Sequence, residues 1–174
     1  MDRYIMSAPD AVRLVDSLDA AEVEFAVSGG WAVDALLGEQ TREHADLDLF
    51  LPAEDLAKLV TALGHHGIDR IEPRPDTRPW NFVLHDGRRL RVDLHLYEPL
   101  PDGALHYGPA TENFSFPAEA LTGVGTIAGR QVRCETPAWS VRWHTGYPPR
   151  PTDHHDVPLL CQRFNLALPP GFHA

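Results

Sequence analysis

The sequence predicts an α+β fold with a mixed β-sheet core flanked by helices. Two observations carry that reading. Helix-like and strand-like segments are mixed along the chain without regular βαβ repetition. Residues 46–51 and 89–97 alternate between polar and apolar side chains, the period of a strand with one face buried.

Taken in order, Val12, Val15 and Leu18 lie at helical spacing, so residues 9–20 predict a short amphipathic helix with Pro9 near its start. Residues 24–28 read as a strand, broken by Gly29-Gly30. Trp31 to Leu37 predicts a helix that ends at Gly38. In the strand at 46–51, Leu47, Leu49 and Leu51 share one face, and Asp46, Asp48 and Phe50 the other. Pro52 to about His65 predicts a helix, and a strand follows near 68–72. Asp76 to Pro79 reads as a loop. Trp80–Leu84 and Arg89–Tyr97 read as hairpin arms around the Asp86-Gly87 turn. Residues 98–115 look irregular, 124–134 predict a small hairpin, and two helices near 137–145 and 153–166 finish the chain. With 174 residues and no internal repeat, the expectation is one domain over 1–174. Its core covers about 9–97, and a C-terminal helical and hairpin extension covers about 98–174.

Composition excludes several classes of function. Hydrophobic residues make up 43% and charged residues 23%, an ordinary balance for a folded chain. No apolar run reaches the roughly 18 residues of a membrane span, and the first residues do not read as a signal peptide. Cys134 and Cys161 are isolated, which suits reduced thiols and a cytoplasmic location. The net charge of −10 is wrong for tracking a nucleic-acid backbone and suits cationic small molecules or metal ions. Acids concentrate early: residues 1–97 hold 18 acids and 10 bases, residues 98–174 hold 7 and 5.

The acids form a constellation. Asp46 and Asp48, two apart on a strand, project from one face and can converge on divalent cations, as carboxylates do in phosphoryl and nucleotidyl transfer. Such a pair is also common on solvated strands. Asp93 sits in the same kind of alternation; if the two strands pair, three carboxylates share a face and repel each other unless a cation relieves them. Magnesium suits hard oxygen ligands and substrate phosphates. Ser28-Gly29-Gly30 joins a strand to a helix, where backbone N–H groups can approach a phosphate, although a Gly-Gly pair is also simply a tight turn. Arg42 offers a charge for phosphate oxygens, or an ion pair with Glu39, Glu43 or Asp46. His95 shares the face of Asp93, as an acceptor contact or a structural histidine. His44 reads as a loop-fixing group, and His65-His66 as structural residues at a helix C-terminus. His144 and Tyr147 suggest acceptor contacts beside a helix that otherwise packs core. Asp153 reads as a helix cap.

The run from Gly29 to Asp48, Gly-Gly-Trp-x-x-Asp followed by Thr-Arg-x-His-x-Asp-x-Asp, resembles the small antibiotic nucleotidyltransferases, both lincosamide and aminoglycoside 2″ types, with their DNA polymerase β-type core. The resemblance continues at Val92-Asp93-Leu94-His95, His144-Thr145-Gly146-Tyr147 and Thr152-Asp153-His154-His155-Asp156, and so touches about residues 22–160. It implies a polymerase β-like nucleotidyltransferase fold and transfer of a nucleoside monophosphate from an NTP, ATP foremost, to a hydroxyl of a small molecule, with pyrophosphate released. It implies Asp46, Asp48 and Asp93 around two magnesium ions, with Asp93 as third ligand or general base. Ser28, Gly29, Gly30 and Arg42 would meet the nucleotide, and His95 and Tyr147 the acceptor. Thr152 departs from the pattern, because many relatives carry a phosphate-contacting Lys there. The partners expected are an NTP and an antibiotic-like hydroxyl acceptor, without nucleic acid or membrane, and a homodimer is compatible with this reading. Competing readings are a metal-dependent phosphohydrolase built on His144, His155 and Asp156, a toxin-type nucleotidyltransferase acting on RNA or protein, and a binding protein without chemistry.

Overall fold

The first helix begins where Ser7 accepts a hydrogen bond from the Asp10 N–H (3.3 Å), with proline in the first turn. This helix, α1 (Ala8–Ala20), buries Ala11, Leu14, Val15 and Leu18, the stripe its spacing predicts. The computed structural model describes residues 4–73, 80–109, 111–112 and 114–173. Strand β1 (Ala26–Ser28) is shorter than the 24–28 expected from sequence, because the Glu24 N–H donates to the Asp55 carboxylate (2.7 Å) and not to a neighbouring strand. Helix α2 (Gly29–Leu37) ends at Gly38, whose φ of 82° is the left-handed cap anticipated there. Strand β2 (Leu47–Pro52) starts one residue late, which leaves Asp46 ahead of the ladder. A 3₁₀ turn at Ala53–Asp55 leads into α3 (Leu56–Gly64).

Strands β3 (Arg70–Pro73), β4 (Asn81–His85) and β5 (Arg91–Pro99) follow. The expected loop at 76–79 lies outside the described residues. The Asp86 turn is built by its own carboxylate, which accepts the N–H groups of Arg88, Arg89 and Leu90 at 2.8, 2.8 and 3.0 Å. Residues 98–115, expected to be irregular, contain β6 (Ala104–His106), which turns back on the long β5 and pairs with β7 (Ser115–Pro117). The Asp102 side chain accepting the Ala104 N–H (3.0 Å) makes that turn. Strands β8 (Gly123–Ile127) and β9 (Arg130–Cys134) form the expected hairpin around Ala128 and Gly129, both at positive φ. The last two helices are α4 (Pro137–Trp143) and α5 (Pro151–Phe164). Helix α5 starts two residues earlier than the sequence predicts, because the Asp153 carboxylate accepts the Arg150 backbone N–H (2.7 Å) and closes the first turn.

The sheet is mixed, in the order β3-β4-β5-β2-β1-β9-β8, with β6 and β7 branching from the end of β5. The β2–β5 and β1–β9 pairs are parallel and the others antiparallel. One face carries Val27, Leu47, Leu49, Leu51, Val92 and Leu94 into the main core with α1 and α3. Each such fully buried leucine contributes roughly 1.5–3 kcal/mol. The opposite face holds the acids and a second cluster around Phe50, Tyr97, Phe116 and Leu121. A third cluster ties α2 to α4 and α5 through Val33, Val141, Val157 and Leu160. The β8–β9 hairpin continues the central sheet, so residues beyond 97 complete the structure that the first half begins. Both cysteines are free and buried. Among the described residues, no helix is long and apolar enough to cross a membrane.

Candidate active site

Register aligns the carboxylates. Ser28 pairs with Asp48 across β1–β2, and Asp48 pairs with Asp93 across β2–β5. One pleat further along, Phe50 pairs with His95, and His95 with Asn81. Residues two apart on a strand share a face, so Asp48, Phe50, Asp93 and His95 all project to the same side. One potential ligand atom each from Asp48, Asp93 and His95 lie within 4.8 Å of one another. This is the one such group among the described residues. Asp93 is buried and Asp48 is half-buried.

His95 is fixed at both nitrogens. Nδ1 lies 2.7 Å from the Asn81 amide nitrogen and 3.0 Å from the Tyr107 hydroxyl, and Nε2 lies 3.5 Å from Asp48 Oδ1. Burial works against charge on this ring, but the hydrogen bond and charge of Asp48, with the Tyr107 oxygen, outweigh it and hold its pKa up at about 9. The donor chemistry therefore divides. Two carboxylates from adjacent strands fit a hard divalent cation, and the imidazole braces one of them.

These groups line a cavity of about 480 Å³. Ser28, Gly29 and Glu135 form one side of it. Phe50, Tyr107, Trp143 and Tyr147 supply an aromatic wall, with the Phe50 ring 5.5 Å from Tyr107 and 5.6 Å from Trp143. His144 and Arg150 complete the lining, with Asn81 beside His95. Glu135 is fully buried and accepts the Ser28 hydroxyl at 2.8 Å. Burial raises its pKa, against the pull of His144 and the Ser28 hydrogen bond. His144 donates from Nδ1 to the Ser140 carbonyl (2.7 Å). A larger surface hollow of about 620 Å³ lies between α1 and α3, lined largely by alanines such as Ala20, Ala57 and Ala62. It gathers no comparable set of carboxylates and histidines, so the chemistry belongs to the smaller cavity.

Of the residues singled out in the sequence, Ser28, Gly29, Asp48, Asp93, His95, His144 and Tyr147 line the cavity, while Gly30, Arg42 and Asp46 do not. Asp46 lies 3.7 Å from Arg91 Nε, whose Nη1 also contacts Glu72 (2.8 Å). Arg42 pairs with an acid other than those anticipated, Asp156 on α5, and Nη1 also donates to the Glu43 carbonyl (3.1 Å). Its Nε contacts both carboxylate oxygens of Asp156, and Nη2 donates to one of them at 2.6 Å, tying the 41–44 loop to α5. Arg42 Nη1 lies 3.0 Å from His44 Nδ1. Buried His44 lies 2.5 Å from Asp34 through Nε2 and sits against Trp31, the loop-fixing role expected of it. The glycine pair has a packing reason. A Cβ on Gly30 would lie 2.4 Å from the Arg42 guanidinium and 2.5 Å from the His44 ring, and one on Gly29 would lie 2.3 Å from Asp48 Oδ2. Gly29 also sits at φ 61°. Gly29→Ala is expected to displace the Asp48 carboxylate and to cost about 1–2 kcal/mol in backbone strain. Turnover should fall more steeply than thermal stability, which parallel activity and melting measurements would read.

Asn81, Tyr107, Glu135, Trp143 and Arg150 were not foreseen as site residues. Glu135 carried no signal: after Val132, Arg133 and Cys134 it continues the polar–apolar alternation and so reads as exposed, whereas the structure buries it just beyond β9. The phosphohydrolase triad does not assemble. His155 lies 3.1 Å from the Thr41 hydroxyl, Asp156 is committed to Arg42, and His144 lines the cavity.

Comparison with known proteins follows this geometry. Residues 11–160 match the family model described as aminoglycoside-2″-adenylyltransferase. A lincosamide resistance protein of Staphylococcus haemolyticus is 27% identical over 148 residues, covering 84% of this chain and 89% of that protein. A 2″-aminoglycoside nucleotidyltransferase of Escherichia coli is 33% identical over 129 residues, covering 71% of this chain and 64% of that protein. Among solved structures, the lincomycin-bound lincosamide antibiotic adenylyltransferase LnuA aligns with a TM-score of 0.76 and 26% identity, covering 90% of this chain and 97% of that one. ANT(2″)-Ia in complex with adenylyl-2″-tobramycin aligns with a TM-score of 0.67 and 26% identity, covering 90% and 88%.

Proposed function

Because the chain belongs to the aminoglycoside-2″-adenylyltransferase family, we propose that it transfers AMP from magnesium-bound ATP to a hydroxyl of a lincosamide- or aminoglycoside-type antibiotic. Family membership makes it a nucleotidyltransferase; the donor base, the metal and the acceptor are the proposed parts. The observation that supports the reading best is Asp48 beside Asp93 on adjacent parallel strands, in one cavity with the Gly29 turn.

Asp48 and Asp93 would hold the metal. When bound, magnesium neutralises phosphate charge and favours attack at phosphorus. Asp46 is the further ligand that the resemblance implies, and to join the others it has to leave Arg91. Asp46→Asn therefore decides its role: a large loss of turnover assigns it to the metal, and a small one to the Arg91 pair. Ser28, with its hydroxyl held by Glu135, and the backbone of Gly29 at the start of α2 receive the triphosphate. His95 keeps Asp48 in orientation. The acceptor lies on the aromatic wall, its apolar ring faces against Tyr107 and Trp143 and its amines attracted by the carboxylates.

The acceptor oxygen then forms a bond to the α-phosphorus while the bond from that phosphorus to the β-phosphate bridging oxygen breaks. Pyrophosphate leaves with the electron pair of that bond, and Asp93 takes the hydroxyl proton. ATP as donor places the reaction in the cytoplasm, and neither nucleic acid nor membrane takes part.

Incubation with each of four radiolabelled NTPs and a panel of lincosamides and aminoglycosides tests the proposal. The expected result is an antibiotic heavier by one AMP group, with equimolar pyrophosphate, abolished by a chelator and restored by magnesium. Absence of any adduct across the panel would overturn it.

A further inference from the structure

The nucleotidyl-transfer reading leaves one requirement unmet. A triphosphate entering this cavity meets the carboxylates Asp48, Asp93 and Glu135, and it needs a fixed cation besides the metal. Arg42, the residue expected from sequence to supply it, has Nε and Nη2 committed to Asp156, which is itself only 1% exposed. The single lysine, Lys58, pairs with Asp55 and lines the distant hollow between α1 and α3. Arg150 is the one Arg or Lys among the residues lining the cavity.

Its surroundings suit the task. The guanidinium lies over the Tyr147 ring (5.1 Å to the centroid), and Nη2 donates to the Tyr147 hydroxyl at 3.0 Å. Nε and Nη2 reach Asp153 at 3.3 and 3.4 Å. Those contacts use Nε and Nη2 and hold the fork in place, while Nη1 makes no hydrogen bond to a described residue. The side chain is 65% exposed, so an incoming anion can reach it. A planar guanidinium matches two phosphate oxygens at once. We propose that Arg150, stacked on Tyr147 at the start of α5, is the residue that grips the β- and γ-phosphates of the nucleotide and hence the departing pyrophosphate. This inference rests on the nucleotidyl-transfer reading.

The test compares ATP and AMP binding in the presence of magnesium for the full chain and for Arg150→Gln and Arg150→Lys. Steady-state kinetics for the acceptor run alongside. Arg150→Gln is expected to weaken ATP on the order of 10- to 100-fold, the size of a lost charge-assisted contact. AMP affinity and the KM for the acceptor should hold, and Arg150→Lys should fall between. Pyrophosphate should become a weaker product inhibitor in the same order. Equal weakening of ATP and AMP means that Arg150 only supports the fold, and it overturns the proposal; so does an unchanged ATP affinity, or an effect confined to the acceptor. Should Arg150→Gln fail to fold, Arg150→Lys is judged by the same ATP-to-AMP ratio. A full chain that binds no nucleotide overturns the parent reading and this one with it. A full chain that adenylylates its acceptor while the variants keep the normal ratio removes Arg150 alone.

Discussion

Asp48→Asn is expected to leave a folded protein whose nucleotide transfer is reduced on the order of a thousandfold or more. The carboxylate stands in the middle of the site, paired in register with Ser28 on one side and Asp93 on the other, with His95 Nε2 at 3.5 Å. The amide keeps the size and one oxygen of the original side chain but removes the charge that a divalent ion requires. Asp48 is half-buried and lies on the cavity side of the sheet, away from the main apolar core, so little packing is lost. The measurement is single-turnover transfer alongside circular dichroism and thermal melting. Turnover near the wild-type rate in a folded Asp48→Asn protein would remove this residue from the chemistry.

Arg42→Ala is expected to do the reverse. It leaves Asp156 as a buried carboxylate without its guanidinium, a change that costs roughly 3–5 kcal/mol. For a chain of this size that corresponds to a fall in Tm of about 10 °C. The arginine is held in its charged form because, although burial opposes the charge, Asp156 outweighs it, with Asp34 and Asp48 adding to the field. Arg42→Lys should recover only part of the loss, since an ammonium cannot form the forked contact. The protein that remains folded at low temperature should keep its KM for ATP. A raised KM for ATP with an unchanged Tm would return Arg42 to the phosphate-binding role that sequence pattern gave it.

The carboxylates were legible because strand alternation is a local property: Asp48 and Asp93 each sit opposite leucines and valines that must be buried. Their juxtaposition was not legible in that way, since it depends on β2 pairing parallel to β5 in one register, which only tertiary packing sets. Asp46 shows the limit at residue scale. The alternation extends through it, but the ladder begins at Leu47, and Arg91 on the neighbouring strand takes its charge. Gly29-Gly30 was read as room for a phosphate or a tight turn; the structure adds a packing reason invisible in the sequence, the close approach of Asp48, Arg42 and His44. Tyr107, Trp143 and Arg150 come from segments whose patterns indicate a loop, a core helix and a proline-rich break. They reach the cavity because the late hairpin and helices fold back over the sheet.

Ser28 and Glu135 share a hydrogen bond across 107 residues of chain. Asp48 likewise waits 45 positions for Asp93, its neighbour in the ladder. A nascent polypeptide emerging from the ribosome thus carries the glycine turn and its first acids long before the strand that seats Glu135 is synthesised. Closing contacts so distant in sequence is slow. Catalytic competence is therefore acquired late, and the appearance of activity during refolding would serve as a clock for completion of the whole molecule.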